Sequence, residues 1–86
     1  MKHKASKKFW AFYNELPEPV QKLANENYSL LKNDPRHPSL CFKKVGRFWS
    51  VRIGLHYRAV AVQQGNDFAW FWIGHHSEYD RLLGIG

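Results

Sequence analysis

The segment Phe68-Ala69-Trp70-Phe71-Trp72-Ile73 has no polar position. A strand with one wet face alternates apolar and polar side chains, so a run like this is a central strand or one covered on both sides. With 86 residues there is material for one core and not two, so residues 1–86 are expected to form a single domain. The rest of the chain must therefore supply layers for this strand.

The first half carries helical spacing. Phe9, Phe12, Tyr13 and Leu16 recur every three to four residues, which predicts a helix from Ser6 to Glu15 with Ser6 as its N-cap. The basic head before it is expected to fray. Leu16-Pro17-Glu18-Pro19 interrupts the helix, because the residue before a proline is pushed out of the helical region. Pro19 suits the first turn of a second helix, with Glu18 at its positive end. Val20, Leu23, Ala24, Leu30 and Leu31 form its stripe to Asn33, with Asn27 a polar interruption. So short a joint predicts a helical hairpin. Asp34–Ser39 is rich in turn residues.

From Leu40 the period changes from helix to strand. Strands are expected at Leu40–Val45, Phe48–Leu55, Tyr57–Gln63 and Phe68–Ile73. Gly46, the Gln64-Gly65-Asn66-Asp67 turn and Gly74 separate or end them. In the second strand Trp49, Val51, Ile53 and Leu55 point one way and Phe48, Ser50 and Arg52 the other. Ser77 with Asp80 resembles a capping box for a short C-terminal helix to Leu83, docked through Leu82 or Leu83. The expected fold is α+β: an N-terminal helical hairpin on a four-stranded antiparallel sheet, followed by a short C-terminal helix.

Thirteen Lys and Arg against seven Asp and Glu leave a formal charge of +6, which solubility alone or a polyanionic partner would explain. The lone Cys41 forms no internal disulfide and reads as a core or sheet residue. With no apolar run long enough to span a membrane and no signal-like start, a cytoplasmic protein is expected. Five histidines raise the question of metal, but there is no cysteine pair. Adjacent His75 and His76 would diverge at the end of an extended strand, so no metal site and no cofactor is expected.

The groups suited to chemistry lie in the second half. Arg52 is on the polar side of its strand, and Arg58 interrupts an alternation with Val60 and Val62, where a charge needs a partner. His75, His76 and Tyr79 follow the last strand. Singly each has an ordinary explanation: a solvated sheet residue, a helix start, a packing aromatic. Together they offer bidentate phosphate contacts, proton exchange near neutral pH and a phenolic donor.

Three stretches give the chain a resemblance. They are Leu40–Gly46 with Trp49–Gly54, Tyr57–Val62, and Trp72-Ile73-Gly74-His75-His76-Ser77-Glu78-Tyr79-Asp80-Arg81-Leu82. Their order and spacing resemble the RelE/ParE superfamily of bacterial toxins from type II toxin–antitoxin systems. The resemblance implies a metal-independent mRNA endonuclease that works on the ribosome, in which the RNA 2′-hydroxyl attacks the adjacent phosphate. Carried over by position, Arg58 would stabilise the charged phosphorane, and His76 and Tyr79 would supply the acid or base. Arg52, Lys43, Lys44 and His75 would bind RNA. It also implies a cognate antitoxin protein, with the ribosome and mRNA as further partners. Ser50 stands where RelE proper has a lysine, and the chain is expected to open with a helix where many members open with a strand. Two other functions fit the same fold: a ParE-like inhibitor of DNA gyrase, and a non-catalytic binding module.

Overall fold

The computed structural model describes residues 2–83. The elements run β1 (His3–Ala5), α1 (Lys7–Asn14), α2 (Glu18–Asn33), a 3₁₀ turn (Pro38–Leu40), β2 (Lys43–Val45), β3 (Phe48–Ile53), β4 (Tyr57–Gln64), β5 (Asp67–His75) and α3 (His76–Leu83). The sheet has five strands in the order β1-β5-β4-β3-β2. It is mixed: β1 runs parallel to β5, and the other three pairings are antiparallel.

The expected four-stranded antiparallel sheet is therefore corrected by one strand, and the expected frayed head is that strand. Met1 lies outside the described residues. His3 pairs with Phe68 and Ala5 with Trp70. Phe68 N donates to Lys2 O at 2.8 Å, and Ser6 N to Trp70 O at 3.1 Å. The basic residues of β1 show no apolar alternation, because backbone pairing to β5 holds the segment. An unpaired edge of β5 would expose a row of donors and acceptors, and β1 covers it.

His3 is more than a backbone contact. Its ring stacks on Phe68 (5.6 Å, 17°), and its Nδ1 accepts from Trp70 Nε1 at 3.0 Å. Its Nε2 is buried without a partner. Burial first, then nearby positive charge including Lys32, lowers its pKa below the ordinary 6.5, while Asp67 pulls the other way. Folded His3 thus holds a proton less tightly than unfolded His3. Below about pH 6.5 the unfolded chain takes up more protons, so stability falls with pH there; above it His3 is neutral in both states and contributes no slope. Thermal unfolding at pH 5.5 and 7.5 is expected to show a lower Tm at pH 5.5 and a smaller difference in His3→Phe. An equal difference in the variant would remove His3 from the acid response.

The helices form where the spacing places them. Ser6 Oγ accepts from Phe9 N at 3.1 Å and caps α1. The two helices do not behave as a free-standing hairpin: α1 packs on β5 and α2 on β3. Two bonds tie them, Gln21 Nε2 to Tyr13 O (3.0 Å) and the Tyr13 hydroxyl to Asn25 Oδ1 (3.0 Å). Asn27, the polar interruption of the α2 stripe, donates to Arg52 O at 3.2 Å. Gly54 closes β3 at φ 64°, and a Cβ there would stand 2.7 Å from Leu23 Cδ2, so α2 needs a glycine below it.

Other boundaries differ too. Leu40 ends a 3₁₀ turn and is fully buried, and Cys41 is exposed at a left-handed φ of 45°, so no strand starts before Lys43. Leu55 is in the β3–β4 turn and 70% exposed, not on the apolar face of β3. Gly74 does not end β5, which runs on to His75.

The apolar run of β5 is covered on both faces, and a bulge is part of the reason. Val60 pairs with Trp72 and Ala61 with Trp70, which leaves Phe71 without a partner opposite. The extra residue flips the alternation. Phe68, Trp70 and Ile73 join the core beneath α1 and α2, with Val51, Ile53 and Leu31. Trp72 joins Val60 and Tyr79 on the other face, with Phe48, Phe71 and Leu83 packed around them. So α3 docks through Tyr79 and Leu83, and Leu82 stays exposed.

Candidate active site

The strand register places the site. Arg52 of β3 is directly opposite Arg58 of β4, and Arg58 is opposite Gly74 of β5. Residues opposite one another share a sheet face. Arg52 alternates with Val51 and Ile53, which face the helices, so both arginines are on the far face, with Ser50, Val60 and Trp72 in the next row. The third position of their row has no side chain: a Cβ on Gly74 would come 2.6 Å from Trp72 Cζ2. The Trp72 indole lies across the glycine and forms the floor beside the arginines.

Two like charges directly opposite on a sheet are destabilising. Each guanidinium makes a local bond, Arg52 Nε to Gly54 O (3.0 Å) and Arg58 Nη1 to Tyr57 O (2.8 Å). Among the described residues neither donates to a carboxylate. A guanidinium has five N–H donors, so among the described residues four on each arginine have no partner. An anion across the pair would relieve the repulsion and fill those donors.

His76 opens α3 beside this row. Its backbone N donates to His56 O at 2.7 Å, which ties the β5–α3 junction to the β3–β4 turn. Tyr79 follows three residues later and so shares the His76 side of the helix. Its ring is 6% exposed and packs on Val60 and Trp72. Val60 is two residues from Arg58 on the same face, so Tyr79 borders the arginine row. Among the described residues its hydroxyl has no hydrogen-bond partner, and the one buried side-chain polar atom without one is His3 Nε2.

The remaining expected residues divide. Lys43 pairs with Ser50 and shares the arginine face, whereas Lys44 pairs with Trp49 and points to the helix side. His75 pairs with Tyr57, at the end of the helix-side face. Its Nδ1 accepts from Ser77 N at 3.2 Å and lies 3.0 Å from Ser77 Oγ. The His75 ring thus takes the capping role expected of Ser77, and α3 starts two residues earlier than a Ser77 cap allows. Ser50, where a lysine stands in RelE proper, is 2% exposed, so a long cation there would displace its neighbours.

The expected divergence of His75 and His76 does not hold. The chain passes from strand to helix between them, and their rings lie 4.4 Å apart at 31°. His56, which sequence reasoning passed over, completes a group of three. Its ring is 6.1 Å from His75 and 6.0 Å from His76. The signal was in the pairing: with Tyr57 opposite His75, the preceding residue falls beside His76. A separate apolar cavity of about 230 Å³ lies between α1, α2 and the helix side of the sheet. None of Arg52, Arg58, His76 or Tyr79 lines it.

The model of the ParE-like toxin domain matches residues 18–81. The chain belongs to the ParE-like toxin family. No curated protein matches the sequence. Solved toxins share the fold at low identity. The toxin of the RelB–RelE antitoxin–toxin complex from Methanococcus jannaschii is 19% identical with a TM-score of 0.71, over 91% of this chain and 96% of that one. A copper-bound mutant toxin from Helicobacter pylori is also 19% identical, with a TM-score of 0.65 over 91% of this chain and 97% of that one. A YoeB/ParE toxin from Agrobacterium tumefaciens is 18% identical, with a TM-score of 0.65 over 88% and 99%. This ParE-like chain therefore has the fold of the RelE, YoeB and ParE toxins of toxin–antitoxin systems. It opens with a strand, so the expected departure from many members of the superfamily is withdrawn. Among the described residues no helix is long and apolar enough to cross a membrane.

Proposed function

We propose that this ParE-like toxin is an mRNA endonuclease that acts on the ribosome and is neutralised by a cognate antitoxin. The observation that carries the reading is the cross-strand pair Arg52 and Arg58, which meets no carboxylate among the described residues and is bordered by His76 and Tyr79. A binding surface needs the cations alone; a proton-transfer pair beside them fits cleavage. In the reaction the 2′-hydroxyl attacks its own 3′-phosphorus. One of His76 and Tyr79 takes the 2′-proton, and the other returns a proton to the leaving 5′-oxygen. The P–O5′ bond breaks, leaving a 2′,3′-cyclic phosphate and a 5′-hydroxyl. Arg58, with Arg52, neutralises the pentavalent phosphorane, a charge that develops only in the transition state. Lys43 holds the RNA backbone on the same face, and His75 and Lys44 extend that surface at its edges. The ribosome orients the message, which supplies proximity that so shallow a surface lacks. The antitoxin covers the basic face by charge complementarity; the structural neighbour from Methanococcus jannaschii is itself an antitoxin–toxin complex.

The test is cleavage of a short mRNA on purified, programmed ribosomes, with the product ends identified. The expected product carries a cyclic phosphate. Since one positioned acid or base contributes about 10²–10⁴ in rate, His76→Gln and Tyr79→Phe are each expected to slow single-turnover cleavage at least a hundredfold. The Tyr79 change keeps the buried ring, so its Tm should hold. Wild-type rates in both variants would leave the acid–base assignment without support.

The ParE-like family match favours a second reading, inhibition of DNA gyrase without nuclease chemistry. That reading requires growth arrest with intact mRNA.

A further inference from the structure

Three imidazoles meet at the end of the sheet where the β3–β4 turn touches the β5–α3 junction. One ligand nitrogen from each of His56, His75 and His76 lies within 4.8 Å of the other two. The approach is enforced by the backbone: His76 N bonds to His56 O at 2.7 Å, and the strand-to-helix turn brings His76 back against His75. We infer that His56, His75 and His76 form a binding site for a divalent, zinc-class transition ion.

The donor set fits such an ion. Imidazole nitrogen suits zinc and its neighbours, and three histidines with a fourth position open to water is an established zinc ligand set. Zn–N bonds of about 2.0–2.1 Å in a tetrahedron put ligand nitrogens about 3.3 Å apart, so the three rings must close by up to about 1.5 Å. His56 and His75 are exposed and His76 half-buried, so side-chain rotation supplies the closure without moving the backbone. His75 needs one change of tautomer, which gives up the bond from Ser77 N. With Nδ1–H donating to Ser77 Oγ at 3.0 Å, Nε2 is left free to ligate, which is the outer hydrogen bond that orients metal-bound histidines. The nearby arginines oppose a dication, and that repulsion sets a limit on affinity.

Binding does not depend on the proposed reaction, but its consequence does. If His76 moves a proton in cleavage, a bound ion occupies the lone pair it needs, and the ion inhibits. This consequence rests on the nuclease reading.

The experiment is a titration of the full chain and of His56→Asn with Zn(II) by calorimetry, and with Co(II) by visible absorption. His56 is exposed and outside the proposed catalytic machinery, and its carbonyl bond to His76 survives the substitution. The expected result is one ion per wild-type chain, a tetrahedral Co(II) spectrum, and at least tenfold weaker binding by His56→Asn. Equal affinities in the two proteins, or no binding by wild type, would overturn the site. In the ribosome assay Zn(II) is expected to inhibit wild type at concentrations that spare His56→Asn. Absence of cleavage by either protein without added metal would defeat the nuclease reading and leave the binding result standing.

Discussion

Arg58→Ala is expected to abolish growth arrest and to lower ribosome-dependent cleavage by about 10²–10³-fold, the usual cost of removing one electrostatic stabiliser of a transition state. The same change should not weaken the fold. Arg58 stands directly opposite Arg52, so alanine removes a like-charge contact from the sheet. Tm is therefore expected to stay level or rise while activity disappears. That opposition distinguishes a functional arginine from a structural one: a variant that loses both activity and stability would show that Arg58 supports the sheet. Arg58→Lys keeps the charge but loses the planar fork, so it should recover only part of the rate.

Trp72→Ala is expected to produce the largest loss of stability. The indole is 7% exposed, packs with Val60 and Tyr79, and lies across Gly74. Truncating a buried aromatic of this size costs about 3–5 kcal/mol. An 86-residue domain has only about 4–13 kcal/mol in total, so much of the variant should be unfolded at 37 °C. Circular dichroism on heating should show a fall in Tm on the order of 20 °C. A Tm within a few degrees of wild type would mean that α3 does not depend on this second core.

The two faces of β5 were legible in its sequence, but how they are served was not. An apolar run demands cover on both sides; it does not reveal that a bulge at Phe71 sends Trp70 to one core and Trp72 to the other. The α2 boundaries were equally readable, because Pro17, Pro19 and the stripe from Val20 to Leu31 act locally. β1 was invisible for the opposite reason: Lys2-His3-Lys4 has no local preference for a strand, and its pairing is to residues more than sixty positions away. Cys41 misled in the same way, since its left-handed turn belongs to the 3₁₀ geometry around it.

The candidate site divides along the same line. Arg52 and Arg58 could be singled out because each is a charge in an apolar alternation, and register then placed them side by side. Tyr79 was correctly placed past the last strand, yet its burial follows from α3 docking on Val60 and Trp72. His56 was missed because a lone histidine in a turn carries no periodic signal. Adjacent side chains diverge on an extended strand, but the chain turns into a helix between His75 and His76, and no local signal in the sequence places the turn there.

Mapping mRNA 5′ ends after induced expression in a bacterium, with and without a block on translation, decides whether this toxin cleaves message on the ribosome. Growth arrest is expected with new 5′ ends inside translated messages, all of which disappear when translation is blocked. Growth arrest with an unchanged 5′-end map would contradict cleavage and point to the gyrase-type reading.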